Sequence, residues 1–204
     1  MAEPTLYISG FTKYLGAPPQ RAGVVARRLA AQVGTQYDPR TDFWKPMRPA
    51  LVNDRRTSRD GRAVWAAAEN ATASKKAHYA AVARGWEQVI PRWDGGTCVP
   101  VPTLAVEIGG LSVKIPASFA ERHPDGELEV VYTHLNSAAL PDPLPDAVMR
   151  VLQRRHPQAT ITYVDVHRPE LIRSSHGRDL TPYDAYLDQA GMYLAYVLIH
   201  QAAA

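Results

Sequence analysis

The chain has 204 residues, 46% hydrophobic and 21% charged, enough to bury a sizeable core in a globular protein. Its single cysteine, Cys98, excludes an internal disulfide, and no apolar run approaches the ~18 residues of a membrane span. The opening MAEPTLYISG lacks a basic start followed by an apolar stretch, so a cytoplasmic protein without signal peptide or membrane contact is expected.

The net charge of +3 is unevenly shared. Residues 1–95 hold 15 Lys+Arg against 8 Asp+Glu, and residues 96–204 hold 8 against 12. A basic half beside an acidic half suits either a polyanion-binding face or two halves that attract each other.

No element is assigned before Pro18. PPQRAGVVARRLAAQVG (18–34) predicts a helix that begins at proline and ends at Gly34. DPRTDFWKPMRPALVND (38–54) holds a short helix capped by Thr41 or Asp42, starting no earlier than Phe43 because Pro46 is tolerated only in a first turn. DGRAVWAAAENA (60–71) and SKKAHYAAVARGWEQVI (74–90) read as helices, the second capped by Ser74. Its apolar stripe is Tyr79, Val82, Ala83, Trp86 and Ile90. RWDGG (92–96) marks a boundary, where periodicity and charge change together.

Beyond it the pattern turns to strands. TCVPVPTLAVEIGG (97–110) begins with prolines that suit a sheet edge, and LSVKIPASFAER (111–122) starts in strict alternation. LEVVYTHL (128–135) is apolar enough for a central strand, with Glu127 and Glu129 read as solvated. A helix over about 145–155 follows, then a strand in ATITYVDVHR (159–168), a short partner over 170–175 and a closing helix over 181–201. The expected fold class is α+β: a small mixed sheet flanked by helices. Residues 1–94 form a basic helical region and 95–204 an α/β core, packed as one unit.

No phosphate-binding glycine loop, nucleophile elbow or zinc ribbon is present. Asp165 and His167 lie two apart on a predicted strand, where the acid could orient the imidazole; a strand-end pair is the plainer reading. Arg55, Arg56, Arg59 and Arg62 form the densest basic run, and Lys75 and Lys76 open the next helix. Forked guanidinium groups and a helix N-terminus suit phosphate oxygens, so these six are the candidate nucleic-acid contacts. In TDFWKPMR (41–48), Phe43, Trp44 and Met47 can anchor a core; alternatively Trp44, Lys45 and Arg48 can stack on and clamp a single strand.

The stretch 110–173 has strand, strand, polar tip, helix and strand in an order that resembles the core of the PD-(D/E)XK nuclease superfamily, nearest its RecB-like branch. Together with YDPRTDFWKPMRPAL (37–51) it is also similar to a group of uncharacterised bacterial, actinobacterial-type proteins. The superfamily places an acid near the end of its first core strand, here Pro116-Ala117-Ser118, and an acid, a spacer and a lysine on the next, here Tyr132-Thr133-His134. The resemblance thus implies a nuclease-like domain without the nuclease chemistry, which needs carboxylates to hold a hard divalent ion. Such a domain would bind nucleic acid or a protein partner through its basic helical face and need no cofactor. A rearranged metal-dependent site built from Glu107, Lys114, His134 and Asp165 is the enzymatic alternative. An assembly protein, self-associating or fitted to another subunit, is the third.

Overall fold

Alternating apolar residues in the second half build a five-stranded sheet, and helices from both ends of the chain cover its two faces. The computed structural model describes residues 3–32, 42–101, 103–115, 118–174 and 178–201. In chain order the elements are β1 (Thr5–Tyr7), α1 (Ile8–Leu15), α2 (Pro19–Ala30), α3 (Met47–Arg56), α4 (Arg62–Glu69), α5 (Ala73–Val89), a 3-10 turn (Ile90–Trp93), β2 (Thr97–Val99), β3 (Leu104–Ile108), β4 (Leu111–Ile115), β5 (Phe119–Arg122), β6 (Leu128–His134), α6 (Leu144–Arg155), β7 (Thr160–Asp165), β8 (Glu170–Arg173) and α7 (Tyr183–Gln201).

The large sheet runs β2-β5-β6-β7-β8, antiparallel except where β6 and β7 pair in parallel through the α6 crossover. The central position expected for β6 is the one it takes, and β2 lies on an edge. A smaller sheet, β1-β4-β3, pairs the N-terminal strand in parallel with β4. The chain is therefore α+β, with mixed sheets of three and five strands.

Alternation along each strand sends its residues to opposite faces. One face of the large sheet carries Ala120, Val130, Ile161 and Tyr163, which pack with the small sheet, α1, α2, α6 and α7. The other carries Phe119, Val131 and Val164, which pack under α3, α4 and α5. Leu6, Ile8 and Phe11 belong to the first cluster, so the start of the chain packs with the second half. The core thus groups the residues differently from a division at 94/95.

The apolar stripe of α5 is buried throughout. Gly85 brings α5 against the end of β7: a Cβ there would lie 1.6 Å from the Val166 carbonyl oxygen, so only glycine permits this approach. Three local expectations change. β1 and α1 occupy a region given no element, because three residues are too few to show a period and their strand partner lies over 100 residues away. The α3 helix begins at Met47, within the expected bound, but Pro46 takes its N-cap place, and Asp42 accepts the Trp44 N–H at 3.2 Å in the turn before it. Thr72, not Ser74, takes the N-cap place of α5, without a side-chain cap bond. Gly34, Thr41, Pro116 and Ala117 lie outside the described residues.

Candidate functional site

Strand β6 leaves the core at His134, and four side chains hold the polar tip that follows. His134 Nε2 donates to the Ala138 carbonyl at 2.8 Å, and His167 Nε2 donates to Leu135 O at 3.0 Å. Arg168 donates to Ser137 O at 2.8 Å, while Trp44 Nε1 donates to Asn136 Oδ1 at 2.9 Å. A loop so fastened is a rigid rim rather than a free connection.

Beneath this rim lies a cleft of about 500 Å³. It wraps the end of β6, so both faces of that strand line it. Trp44 and Arg48 come from one side, Tyr7 and Ser9 from the other, and Tyr132 and Thr133 from between. Trp44 is half-buried, its ring stacked on Tyr79 at 5.6 Å and edge-on to Phe43 at 4.8 Å. Lys75 Nζ lies 5.2 Å from the Phe43 ring, so a cation caps this aromatic cluster. Arg48 pairs with Asp42 at 2.6 Å and stays 43% exposed.

The cleft floor is a pair of hydroxyls. Ser118 Oγ and Thr133 Oγ1 lie 2.6 Å apart, and the Thr133 N–H donates to Ser118 Oγ at 3.0 Å. Tyr132 stacks on Tyr163 at 6.0 Å, and burial pushes its phenol up to about 12, so it remains a neutral donor at physiological pH. The cleft therefore offers aromatic faces, hydroxyls and one guanidinium paired with the Asp42 carboxylate.

The four candidates for a rearranged catalytic site fall on two sheets. Glu107 and Lys114 are exposed on β3 and β4, on the side away from the buried Val106, Ile108 and Val113. His134 and Asp165 are register partners on β6 and β7 of the large sheet. Only these last two are brought together, and both are engaged: His134 with the rim, Asp165 with Arg168 at 2.8 Å and with the N–H groups of His167 and Arg168. Asp165 thus ties down a turn and does not orient the His167 imidazole. Burial lowers the His167 pKa, which suits its neutral, donor-to-carbonyl role.

The six cations expected on one phosphate-reading face do not share one. Arg55 must be withdrawn from that set. Its side chain is fully buried, paired with Glu121 at 2.8 Å and donating to Trp93 O at 3.2 Å, so no phosphate can reach it. Arg56 ends α3, and Arg59 and Arg62 follow near it, all exposed; Arg62 is held by Asp60. Lys75 and Lys76 start α5 at its other end, about 16 Å along the axis from Glu87, which meets Trp65 on α4. Lys76 is exposed, and Lys75 lies over the Phe43 ring.

The solvated reading of Glu129 is also overturned. It is 1% exposed and accepts from Thr162 at 2.5 Å and Arg173 at 3.2 Å, with His123 at 2.7 Å; only Glu127 is exposed. Glu121 and Glu129 are register partners across β5 and β6 and both are buried; Glu121 meets Arg55 of α3, while Glu129 borders a second cleft with His123, Glu127, Thr160 and Arg173. Sequence reasoning missed this pair because their alternation matches that of a solvent-facing edge. It missed Ser118, Thr133 and Asn136 as well, because hydroxyls and amides at strand ends carry no spacing signature.

Among the described residues, no group of three or more His, Cys, Asp or Glu side chains is placed to hold a metal ion. No described helix is long and apolar enough to cross a membrane. Compared with family models, curated proteins and solved structures, the chain matches none.

Proposed function

We propose that this chain is a non-catalytic, nuclease-like module that binds single-stranded nucleic acid at the tip of β6. The observation that carries the reading is the cleft itself. Where the resemblance calls for carboxylates, the floor holds the Ser118–Thr133 hydroxyl pair, and the walls hold Trp44, Tyr132 and Arg48. Aromatic faces that stack bases, beside cations that meet phosphates, are the general chemistry of single-strand binding. The nuclease-like part of the reading rests on the sequence resemblance.

Cations lead away from the cleft. Arg48 opens α3 and Arg56 ends it, about 12 Å further along the axis, with Arg59 and Arg62 beyond. Lys75 flanks the aromatic cluster from α5. The exposed Arg48–Asp42 pair is worth at most about 1 kcal/mol, so its fork can turn to a phosphate at little cost. The fully buried Arg55 takes no part.

The test is fluorescence anisotropy of short single- and double-stranded DNA and RNA across a salt series. Binding that prefers single strands and falls linearly in log–log salt is expected. Arg48→Ala lowers the slope by about 1, and Trp44→Ala weakens binding about 5- to 150-fold without changing the slope. Absence of binding at low salt contradicts the proposal. Cleavage with manganese present would contradict its non-catalytic part.

A further inference from the structure

The last helix is apolar on two sides. Leu187, Leu194 and Leu198 face the core. On the opposite side Tyr186, Met192, Tyr193, Tyr196 and Ile199 share one face, exposed by 41%, 56%, 43%, 61% and 37%. The other exposed positions of α7 are Ala185, Gln189 and His200, so this face carries no Lys, Arg, Asp or Glu over four turns. Asp184 lies off it, and Asp188 borders it with its side chain 45% exposed; both pair with Arg150 or Arg154 of α6. A helix apolar all round is one that is covered on all sides.

We propose that this face of α7 is where a second copy of the chain docks, α7 against α7 about a two-fold axis. The area fits. With roughly 230 Å² for a whole tyrosine, the five side chains alone present on the order of 500 Å² of accessible surface. Adding Ala185, Gln189, His200 and a rim reaches the ~800 Å² per partner of a standard stable interface. An apolar patch of about 500 Å² is in the range of the largest patch on a monomer, where such patches are often functional. The absence of formal charge favours the same partner: a two-fold contact sets each patch against itself, and an uncharged patch does so without like-charge repulsion. The edge of the patch is already ordered, with Tyr186 Oη donating to Leu15 O at 3.1 Å and Tyr193 stacked on Tyr14 at 5.9 Å, so docking freezes few side chains. This inference is independent of the cleft at the tip of β6.

Sedimentation equilibrium of the full chain between about 1 and 100 µM tests it. The expected result is twice the mass of one chain at the upper end. Tyr196→Lys raises the dissociation constant at least 30-fold while circular dichroism and thermal midpoint stay within about 2 °C of wild type. A separate readout uses Met192→Cys in a Cys98→Ser background, which forms an intermolecular disulfide under mild oxidant. A monomer throughout the range overturns the proposal and leaves the face to a different protein or to a lipid surface. A dimer that persists undiminished in Tyr196→Lys, or gives no disulfide from position 192, overturns it by placing the contact elsewhere.

Discussion

The two ends of the β5–β6 hairpin are built on opposite plans. At the base, Glu121 and Glu129 sit side by side and buried, each held by an arginine: Arg55 for the first, Arg173 for the second. At the tip, Ser118 and Thr133 meet across the same two strands with no carboxylate between them, beside an open cleft. The two buried acids of this hairpin are committed to ion pairs. The other end offers hydroxyls, aromatic rings and the Arg48–Asp42 pair. Acidic residues on a strand therefore say little about chemistry until their surroundings are known.

The largest expected effect separates two arginines on one helix. Arg55→Ala leaves Glu121 buried without its cation and costs about 3–5 kcal/mol in urea unfolding. Arg48→Ala, at the tip end of the same helix, costs under about 1 kcal/mol because its partner pair is exposed. Equal losses would erase the contrast between base and tip. Glu129→Gln comes next, at about 1.5–3 kcal/mol, since the amide cannot accept from Thr162, Arg173 and His123 as the carboxylate does. Glu127→Gln, exposed two residues earlier, changes stability by less than about 0.5 kcal/mol. Ser118→Ala is smaller than the buried-charge changes, about 1 kcal/mol, from the lost bonds to Thr133.

Acid titration sharpens the comparison from a third place. Arg150 and Arg154 hold the Asp184 carboxyl down at about 2, below its unfolded value near 4. A depressed carboxyl contributes stability that is complete above the unfolded pKa and is lost as pH falls through the folded one. Asp184 therefore stabilises the fold above about pH 4 and loses that contribution between about pH 4 and 2. Asp184→Asn flattens the acid limb of a stability–pH profile over that window. An unchanged limb would show that the pairs with α6 matter little.

Much of the architecture was legible in the sequence because period and burial agree there. The α5 stripe, the central place of β6 and the α6 crossover all follow from residues whose apolar spacing matches the surface they cover. What escaped depends on partners distant along the chain. β1 is three residues long and exists through β4. Arg55 reads as one of a surface run, yet Glu121, 66 residues on, draws it inside. The site was legible only in part, through Trp44 and Arg48. Ser118 and Thr133 come together because β5 and β6 pair in one register, which neither segment announces alone.

The most direct test of the account sets tip against base in one binding measurement. Single-stranded DNA is titrated by anisotropy across a salt series into wild type, Trp44→Ala, and the triple variant Arg56→Ala, Arg59→Ala, Arg62→Ala. The account predicts that Trp44→Ala, which removes one stacking face and no charge, weakens binding about 5- to 150-fold, and that the triple variant weakens it mainly through a smaller salt slope. Wild-type affinity in Trp44→Ala would contradict the claim that the cleft at the tip of β6 is the binding site.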